Sequence, residues 1–239
     1  MTRRPALALI ATLATLVPAV AAPAAQAAPT RTAQAFVNAF KAAEVESRAA
    51  AAAVEPALKK IEPCLDVVTK APAKQTFEAL TLGLSAAIGE GFVAPLLPVV
   101  TRLQAALDAI PTQDPVLRSA RATWRAQIGV FTSYPSGTAT CDALAAWQAA
   151  GWKRSAQPDV EGLAGGADVS EKQEDAYERR LARGVRRLRA LGVSKRDAAR
   201  IEGEDFGEPV AERFSQLIEP LFDAIGPSGS DREGDWLNR

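Results

Sequence analysis

The sequence has no histidine at any of its 239 positions. Histidine is the usual base in Ser-His and Cys-His catalysis and a frequent ligand of zinc and haem iron. Its absence excludes every mechanism built on those pairs and every histidine-ligated metal site. We therefore predict that the chain holds no metal ion and no cofactor.

An excess of charge of one sign is also missing, because 28 Lys and Arg residues balance 28 Asp and Glu residues. This balance excludes a polycationic nucleic-acid coat and an acidic disordered tail, since neither is built from near-equal charges. Hydrophobic residues make up 48% of the chain, which is enough for a packed core. Composition thus predicts a globular protein and leaves its ligand open.

The N-terminus has the three-part layout of a secretory signal peptide. The basic pair Arg3-Arg4 precedes the uncharged stretch 6–17, and small residues end in Ala25-Gln26-Ala27. Residues 1–27 are accordingly predicted to be removed, which places the mature protein outside the cell or in the periplasm or envelope of a bacterium. Arg3-Arg4 leaves twin-arginine export open as an alternative to the general secretory route.

A second membrane segment needs about 20 apolar residues in a row. The best stretch, residues 79–100, is interrupted by Glu90, Pro95 and Pro98. We interpret it as a pair of buried helices and expect no transmembrane segment once the signal is removed.

Apolar residues recur at spacings of three and four along the first third of the mature chain, which is typical of one face of a long helix. The stripe consists of Phe36, Phe40, Ala43, Ser47, Ala50, Val54, Ala57, Ile61, Cys64 and Val68. Pro56 and Pro63 lack the amide hydrogen that a helix interior requires, so we expect this first helix to be kinked.

The same periodicity predicts further helices, and no segment alternates apolar and polar residues as a strand does, apart from a short run at 130–134. The apolar faces are Phe77, Leu80, Leu84 and Ile88 before a break at Gly89-Glu90-Gly91; Leu96, Val99, Leu103, Leu107 and Ile110 before Pro111; Leu117, Ala120, Trp124, Ile128 and Phe131 after a cap at Asp114; Leu144 and Trp147 after a cap at Thr140; Tyr177, Leu181, Val185, Leu188 and Leu191; and Val210, Phe214, Leu217, Leu221 and Ala224 after Glu208-Pro209. The predicted fold is all-α, a bundle of about eight helices.

Glycine and proline positions divide the chain into regions. Residues 28–152 form the predicted main helical bundle, and residues 153–169 form a linker without helical periodicity. Residues 170–226 form a smaller region that contains a helical hairpin, and residues 227–239 form a flexible tail.

The two cysteines, Cys64 and Cys141, most simply pair with each other in an exported chain. Cys64 lies on the inward stripe of the first helix, and Cys141 follows the predicted cap at Thr140. We therefore predict a disulfide between them. The alternative is a reactive thiolate at Cys141, because a helix N-terminus lowers the pKa of a thiol.

Carboxylates are the acid-base groups that remain in number. Glu55 and Glu62 share a helix face about 10.5 Å apart along the axis, which is loose for a glycosidase pair. Glu46 precedes Ser47 as the catalytic glutamate does in lysozyme-like lytic transglycosylases, but the Gly-Leu-Met-Gln of that family is absent. Glu90 stands between two glycines in a predicted loop, where one side of its carboxylate can be buried. Solvent-exposed helix faces are the default interpretation of all four, and catalysis is the alternative.

Six arginines cluster on one predicted helix, on the arc opposite its apolar face. They are Arg179, Arg180, Arg183, Arg186, Arg187 and Arg189. An amphipathic helix needs a polar arc there in any case, and basic residues at its end also suit the helix dipole. The functional interpretation is an anion-binding face.

The segment Leu191-Gly192-Val193-Ser194 separates two predicted helices and is followed by basic residues, as in a helix-turn-helix. We interpret it as a simple helical hairpin and predict no nucleic-acid partner, because an exported protein has no chromosome to read.

These observations favour a secreted or cell-envelope helical protein that binds or scaffolds another molecule and is not an enzyme. The expected partner is an anionic envelope surface or another protein. The alternative function is a carboxylate-dependent hydrolase of wall glycans.

Overall fold

The computed structural model describes residues 28–164, 171–202 and 206–225. The predicted signal peptide, the end of the predicted linker and the predicted tail lie outside these residues. Ten α-helical segments lie within them: α1 (Arg31–Ala50), α2 (Val54–Val68), α3 (Thr76–Ala87), α4 (Ala94–Ala109), α5 (Pro115–Ser133), α6 (Gly137–Ala149), α7 (Val160–Ala164), α8 (Glu171–Ala190), α9 (Lys195–Glu202) and α10 (Glu208–Ile225).

The predicted all-α class is confirmed, and the described residues contain no strand. A 3-10 segment at Ala51–Ala53 joins α1 to α2, and a π-helical segment at Ile88–Val93 joins α3 to α4. When each joined pair is counted as one helix, the number of separate helices among the described residues is close to the predicted eight.

The long first helix is also confirmed, with its interruption near Pro56, whereas α2 continues as an α-helix through Pro63. Nine of its ten predicted inward residues are buried, and Ala50 is half-buried. The 3-10 segment ends three residues before Pro56, whose ring would clash with the carbonyl group four residues earlier. The proline therefore accounts for the place at which the α-helical hydrogen bonds are interrupted.

The prediction for residues 77–91 was wrong in two respects. The helix does not end at Gly89-Glu90-Gly91 but continues through them as the π segment, so one continuous helix replaces the predicted pair. The face of Phe77 and Leu84 points outward, with these side chains 71% and 39% exposed. The buried face of α3 consists instead of Ala79, Leu82, Gly83, Ser85, Ala86 and Ala87.

The predicted face of α3 is not buried because the neighbouring elements leave too little space for large side chains. The turn before α6 packs so closely on the π segment that a methyl group on Gly89 would lie 2.7 Å from Pro135 O. Small residues permit this approach, whereas the large side chains of the predicted face do not fit there. Apolar spacing alone does not distinguish a face that packs closely from one that does not pack at all.

Two hydrophobic cores lie along the bundle. The first unites α1, the end of α4, α5, α8 and α9 around Phe36, Phe40 and Trp124. The second unites α2, α3, α6 and the start of α10 around Leu58 and Trp147. Residues of the predicted smaller region, such as Leu188, thus contribute to the same core as the main bundle.

Two predicted helix starts are confirmed and one is wrong. Asp114 caps α5 by accepting hydrogen bonds from the amides of Val116 and Leu117, and α10 begins at Glu208. The cap of α6 is Ser136, which accepts a hydrogen bond from the Ala139 amide, and not Thr140. Thr140 is fully buried in the second turn. Its sequence context matches a cap, but Ser136 lies one turn earlier, directly after Pro135, and begins the helix first.

The segment between α8 and α9 is a tight turn, as predicted for a helical hairpin. Gly192 has a φ of 95°, a backbone conformation that glycine adopts without strain. The Val193 amide then donates to the Leu188 carbonyl, which ends α8 in a Schellman-type turn. Ser194 caps α9 by accepting a hydrogen bond from the Asp197 amide.

The described part of the predicted linker, residues 153–164, contains the short helix α7. Its residue Leu163 accepts a hydrogen bond from the Ser85 hydroxyl of α3. Val160 and Leu163 also pack against the second core. This part of the chain is therefore held against the bundle.

Candidate functional site

The six arginines predicted to share one face are all exposed on α8, while Leu181, Val185 and Leu188 on the same helix are buried. The helix is therefore amphipathic in the sense that the spacing predicts. Its buried side packs against α5, where Gly184 meets Ala120 so closely that a methyl group on Gly184 would collide with the Ala120 side chain. This contact brings the arginine-bearing side of α8 beside the start of α5.

Two of the six arginines have carboxylate partners. Arg187 Nε lies 2.6 Å from Asp114 Oδ2, and Arg179 lies 3.6 Å from Asp175 one helical turn before it. The hydrogen bond from Arg187 is the main cause that lowers the pKa of Asp114, with the amides of Leu117 and Val116 acting in the same direction and desolvation opposing them. Arg187 thus has a structural role in joining α8 to α5.

The other four are Arg180, Arg183, Arg186 and Arg189, which make no ion pair with the part of the chain that the structure describes. Their guanidinium groups remain available to an external anion. Guanidinium donors bind carboxylate or phosphate oxygens in pairs, which is the chemistry of an anion-binding face.

Arg180 and Arg183 border a shallow cavity of about 250 Å³ between α8 and α5. The opposite wall is formed by Pro115, Val116 and Ser119 of α5. Val116 is 37% exposed, so the wall offers an apolar surface beside two cationic groups. The cavity therefore places two guanidinium groups next to an apolar wall.

Sequence reasoning missed the three α5 residues of this cavity. Pro115, Val116 and Ser119 lie on the side of α5 away from its predicted inward face, and nothing in their spacing indicates contact with α8. The one available signal was Gly184, since a glycine within a helix often marks a close approach of another helix.

The carboxylates considered for catalysis have other partners. Glu46 pairs with Arg102 Nε at 2.6 Å, and Glu90 accepts a hydrogen bond from the Thr138 hydroxyl at 2.6 Å. Neither contact supplies the second carboxylate that a glycosidase mechanism requires.

Glu55 pairs with Lys59 and Arg213, and these partners, Lys59 first, lower its pKa. Its heptad neighbour Glu62 is exposed on α2. A lowered pKa keeps Glu55 ionised, which suits an ion pair between α2 and α10 rather than a general acid.

Cys64 and Cys141 form a disulfide in the structure, with α-carbons 5.3 Å apart. Because α6 begins at Gly137, Cys141 lies in the second turn of the helix and not at its N-terminus. The helix N-terminus, which the alternative interpretation placed at Cys141, therefore lies about one turn before this residue.

No group of three or more metal-ligating side chains occurs among residues 28–164, 171–202 and 206–225. The continuous helix from Thr76 to Ala109 is long and apolar enough to cross a membrane. Half of its most apolar 18-residue stretch is buried inside the protein, as in a core helix. Comparison with known protein families, with curated proteins and with solved structures finds no match to this chain.

Proposed function

We propose that this chain is an exported helical binding protein that attaches to an anionic component of the cell envelope through the arginine face of α8. The observation that carries the proposal is the set of four exposed arginines that have no carboxylate partner among the described residues, two of which border the cavity beside Val116. The bound chemistry is a phosphate or carboxylate group, whether it belongs to a lipid headgroup or to a wall polymer.

The overall neutrality of the chain does not cancel this local charge. Charges interact in salt solution over roughly 8 Å, so distant acids contribute little to the field at α8. The exposed arginines are neighbours on one helix and therefore act together on an approaching anion. The expected binding is weak and falls as the salt concentration rises.

The predicted export of the chain supports the proposal independently, because envelope polymers lie outside the cytoplasm. The prediction of export depends on the signal-like N-terminus and on the cysteine pair, since disulfides persist in oxidising compartments. Intact-mass analysis of secreted material should place the mature N-terminus within one or two residues of Ala28. Retention of Met1 would contradict export by signal cleavage.

The binding test uses sedimentation with phosphatidylcholine vesicles, with the same vesicles containing phosphatidylglycerol, and with purified teichoic acid. Each is measured at low and high sodium chloride. We expect binding to one or both anionic materials, and we expect Arg180→Glu with Arg183→Glu to remove most of it.

The matched control is Lys60→Glu with Arg154→Glu, which changes the net charge equally at two exposed positions away from α8. Equal loss in the control would show that only net charge matters. Absence of wild-type preference for anionic material would reject the proposal.

A further inference from the structure

The outward side of α3 and of the start of the π segment carries a row of apolar residues, with the half-buried Glu78 and Thr81 next to it. Phe77 is 71% exposed and Leu84 is 39% exposed, with Leu80 and Ile88 half-buried between and after them. These four residues, spaced by three, four and four positions, form one continuous stripe, which we call the α3 stripe. No charged residue occurs between Glu78 and Glu90.

The exposure of the α3 stripe follows from the packing on the opposite side of the helix. A methyl group on Gly83 would lie 2.8 Å from the Val68 side chain, and Ala79, Leu82 and Ala86 are fully buried. Rotating α3 to bury Phe77 would therefore force large side chains into a gap that holds small ones. Packing on the inner side therefore favours the orientation in which Phe77 and Leu84 face outward.

Two lysines stand at the N-terminal end of this stripe. Lys70 and Lys74 are exposed in the connection between α2 and α3, and neither forms an ion pair with the described residues. An exposed aromatic ring close along the chain to exposed lysines is a combination that suits the boundary between anionic headgroups and acyl chains.

We propose that the α3 stripe, together with Lys70 and Lys74, docks on the surface of a bilayer that contains anionic phospholipid. Phe77 enters the boundary between headgroups and acyl chains, and the lysines contact lipid phosphates. The helix lies along the surface, since its other side belongs to the protein core.

A second copy of the chain fits this surface less well. A whole aromatic side chain buries about 150–250 Å², and Phe77 is the one aromatic residue of the stripe. The other three side chains are aliphatic and mostly covered already, so the stripe offers well under the roughly 800 Å² per partner of a stable protein interface. A bilayer accepts a small apolar surface because each exposed side chain partitions independently and the lysines add electrostatic attraction.

This docking is independent of the arginine face. The α3 stripe is attached to the second core, whereas α8 packs against the first. The substitutions that test the two surfaces are therefore separate.

The experiment measures sedimentation of the full chain with phosphatidylcholine vesicles with and without phosphatidylglycerol. Phe77→Ser with Leu84→Ser should lower binding about tenfold or more, as expected for the loss of two partitioning side chains. Lys70→Glu with Lys74→Glu should reduce the preference for phosphatidylglycerol, and the part that depends on the α8 arginines should remain.

The matched control is Val45→Ser, because Val45 is 64% exposed on α1 and belongs to no such stripe. It should bind as the wild type does. Circular dichroism checks that each variant is folded, and Phe77→Ser alone replaces the double variant if that one is not.

Wild-type binding in the Phe77→Ser variants would overturn the proposal. So would ultracentrifugation showing a wild-type dimer that these variants dissociate, since the α3 stripe would then be a protein interface. If only the α8 variants lose binding, the proposal for the arginine face is supported and the α3 proposal fails. If only the α3 variants lose binding, the α3 proposal is supported and the proposal for the arginine face fails.

Discussion

Arg187 Nε and Asp114 Oδ2 lie 2.6 Å apart and join the last turn of α8 to the residue that caps α5. The other oxygen of the same carboxylate, Oδ1, accepts hydrogen bonds from the amides of Val116 and Leu117 at 2.9 and 3.2 Å. One aspartate therefore begins α5 and holds α8 against it. This contact also helps to orient α8, which carries the four arginines that make no ion pair with the described residues.

The two roles of Asp114 should separate by substitution. Asp114→Asn keeps a side-chain oxygen for the cap and loses the ion pair, so we expect it to cost no more than about 1 kcal/mol. Asp114→Ala loses both and should cost about 1 kcal/mol more. Urea unfolding at neutral pH measures the difference. Equal stability of the two variants would show that the cap contributes nothing.

Reduction of the disulfide should destabilise the protein strongly. Cys64 and Cys141 are separated by 77 positions, and a loop of that length corresponds to about 4 to 5 kcal/mol in the chain-entropy treatment. Cys64→Ser with Cys141→Ser should lower the free energy of unfolding by up to that amount. Alkylation of the denatured, unreduced wild type should label neither cysteine, and labelling of both would contradict the pairing.

Gly137 should tolerate no side chain. A methyl group there would collide with Ala86 O and lie 2.9 Å from the Glu90 amide nitrogen, and both are backbone atoms of the α3–π helix that cannot move aside cheaply. We expect Gly137→Ala to cost about 2 kcal/mol or more in thermal or urea unfolding.

The control for this variant is Gly129→Ala in α5, where a methyl group meets nothing within 4 Å. It should stabilise the protein by up to about 1 kcal/mol, since alanine favours a helix more than glycine does. If both substitutions changed the free energy of unfolding in the same direction, the close contact at the π segment would not explain the effect of Gly137→Ala.

Asp197 should make stability depend on pH. Lys41 Nζ lies 2.8 Å from its carboxylate, and this hydrogen bond is the main cause of a lowered pKa, followed by desolvation in the opposite sense and then by Ser194 and Arg200. A lowered pKa means that the folded state favours the ionised form. The stabilisation is therefore present above the ordinary pKa of 3.8 and is lost as the pH falls through the lower folded value.

Asp197→Asn tests this dependence. The variant should be about 1 kcal/mol less stable than the wild type at about pH 6, and the difference should shrink at about pH 3. The exposed Asp142→Asn serves as the control. A difference that is constant over this range would argue against the ion pair.

The fold was largely predictable, because apolar spacing reports directly on the face that a helix buries. This holds for the first helix, for α5 from its cap at Asp114, and for α4 up to its last turn before Pro111. The arginine side of α8 was predictable for the same reason. The cavity that Arg180 and Arg183 border was not, because its other wall comes from α5, more than sixty positions away.

The sequence by itself determined the helical class, the kinked first helix and the pairing of two cysteines, since each depends on local periodicity or on the identity of very few residues. The tertiary structure decided which side of α3 is buried, because Ala79, Gly83 and Ala86 fit a narrow gap that Phe77 and Leu84 do not. It also decided which α8 arginine has a distant carboxylate partner among the described residues, because the position of Asp114 beside Arg187 follows from the packing of α5 on α8. Local spacing specifies the elements, and close contacts between distant elements specify the surfaces that remain for binding.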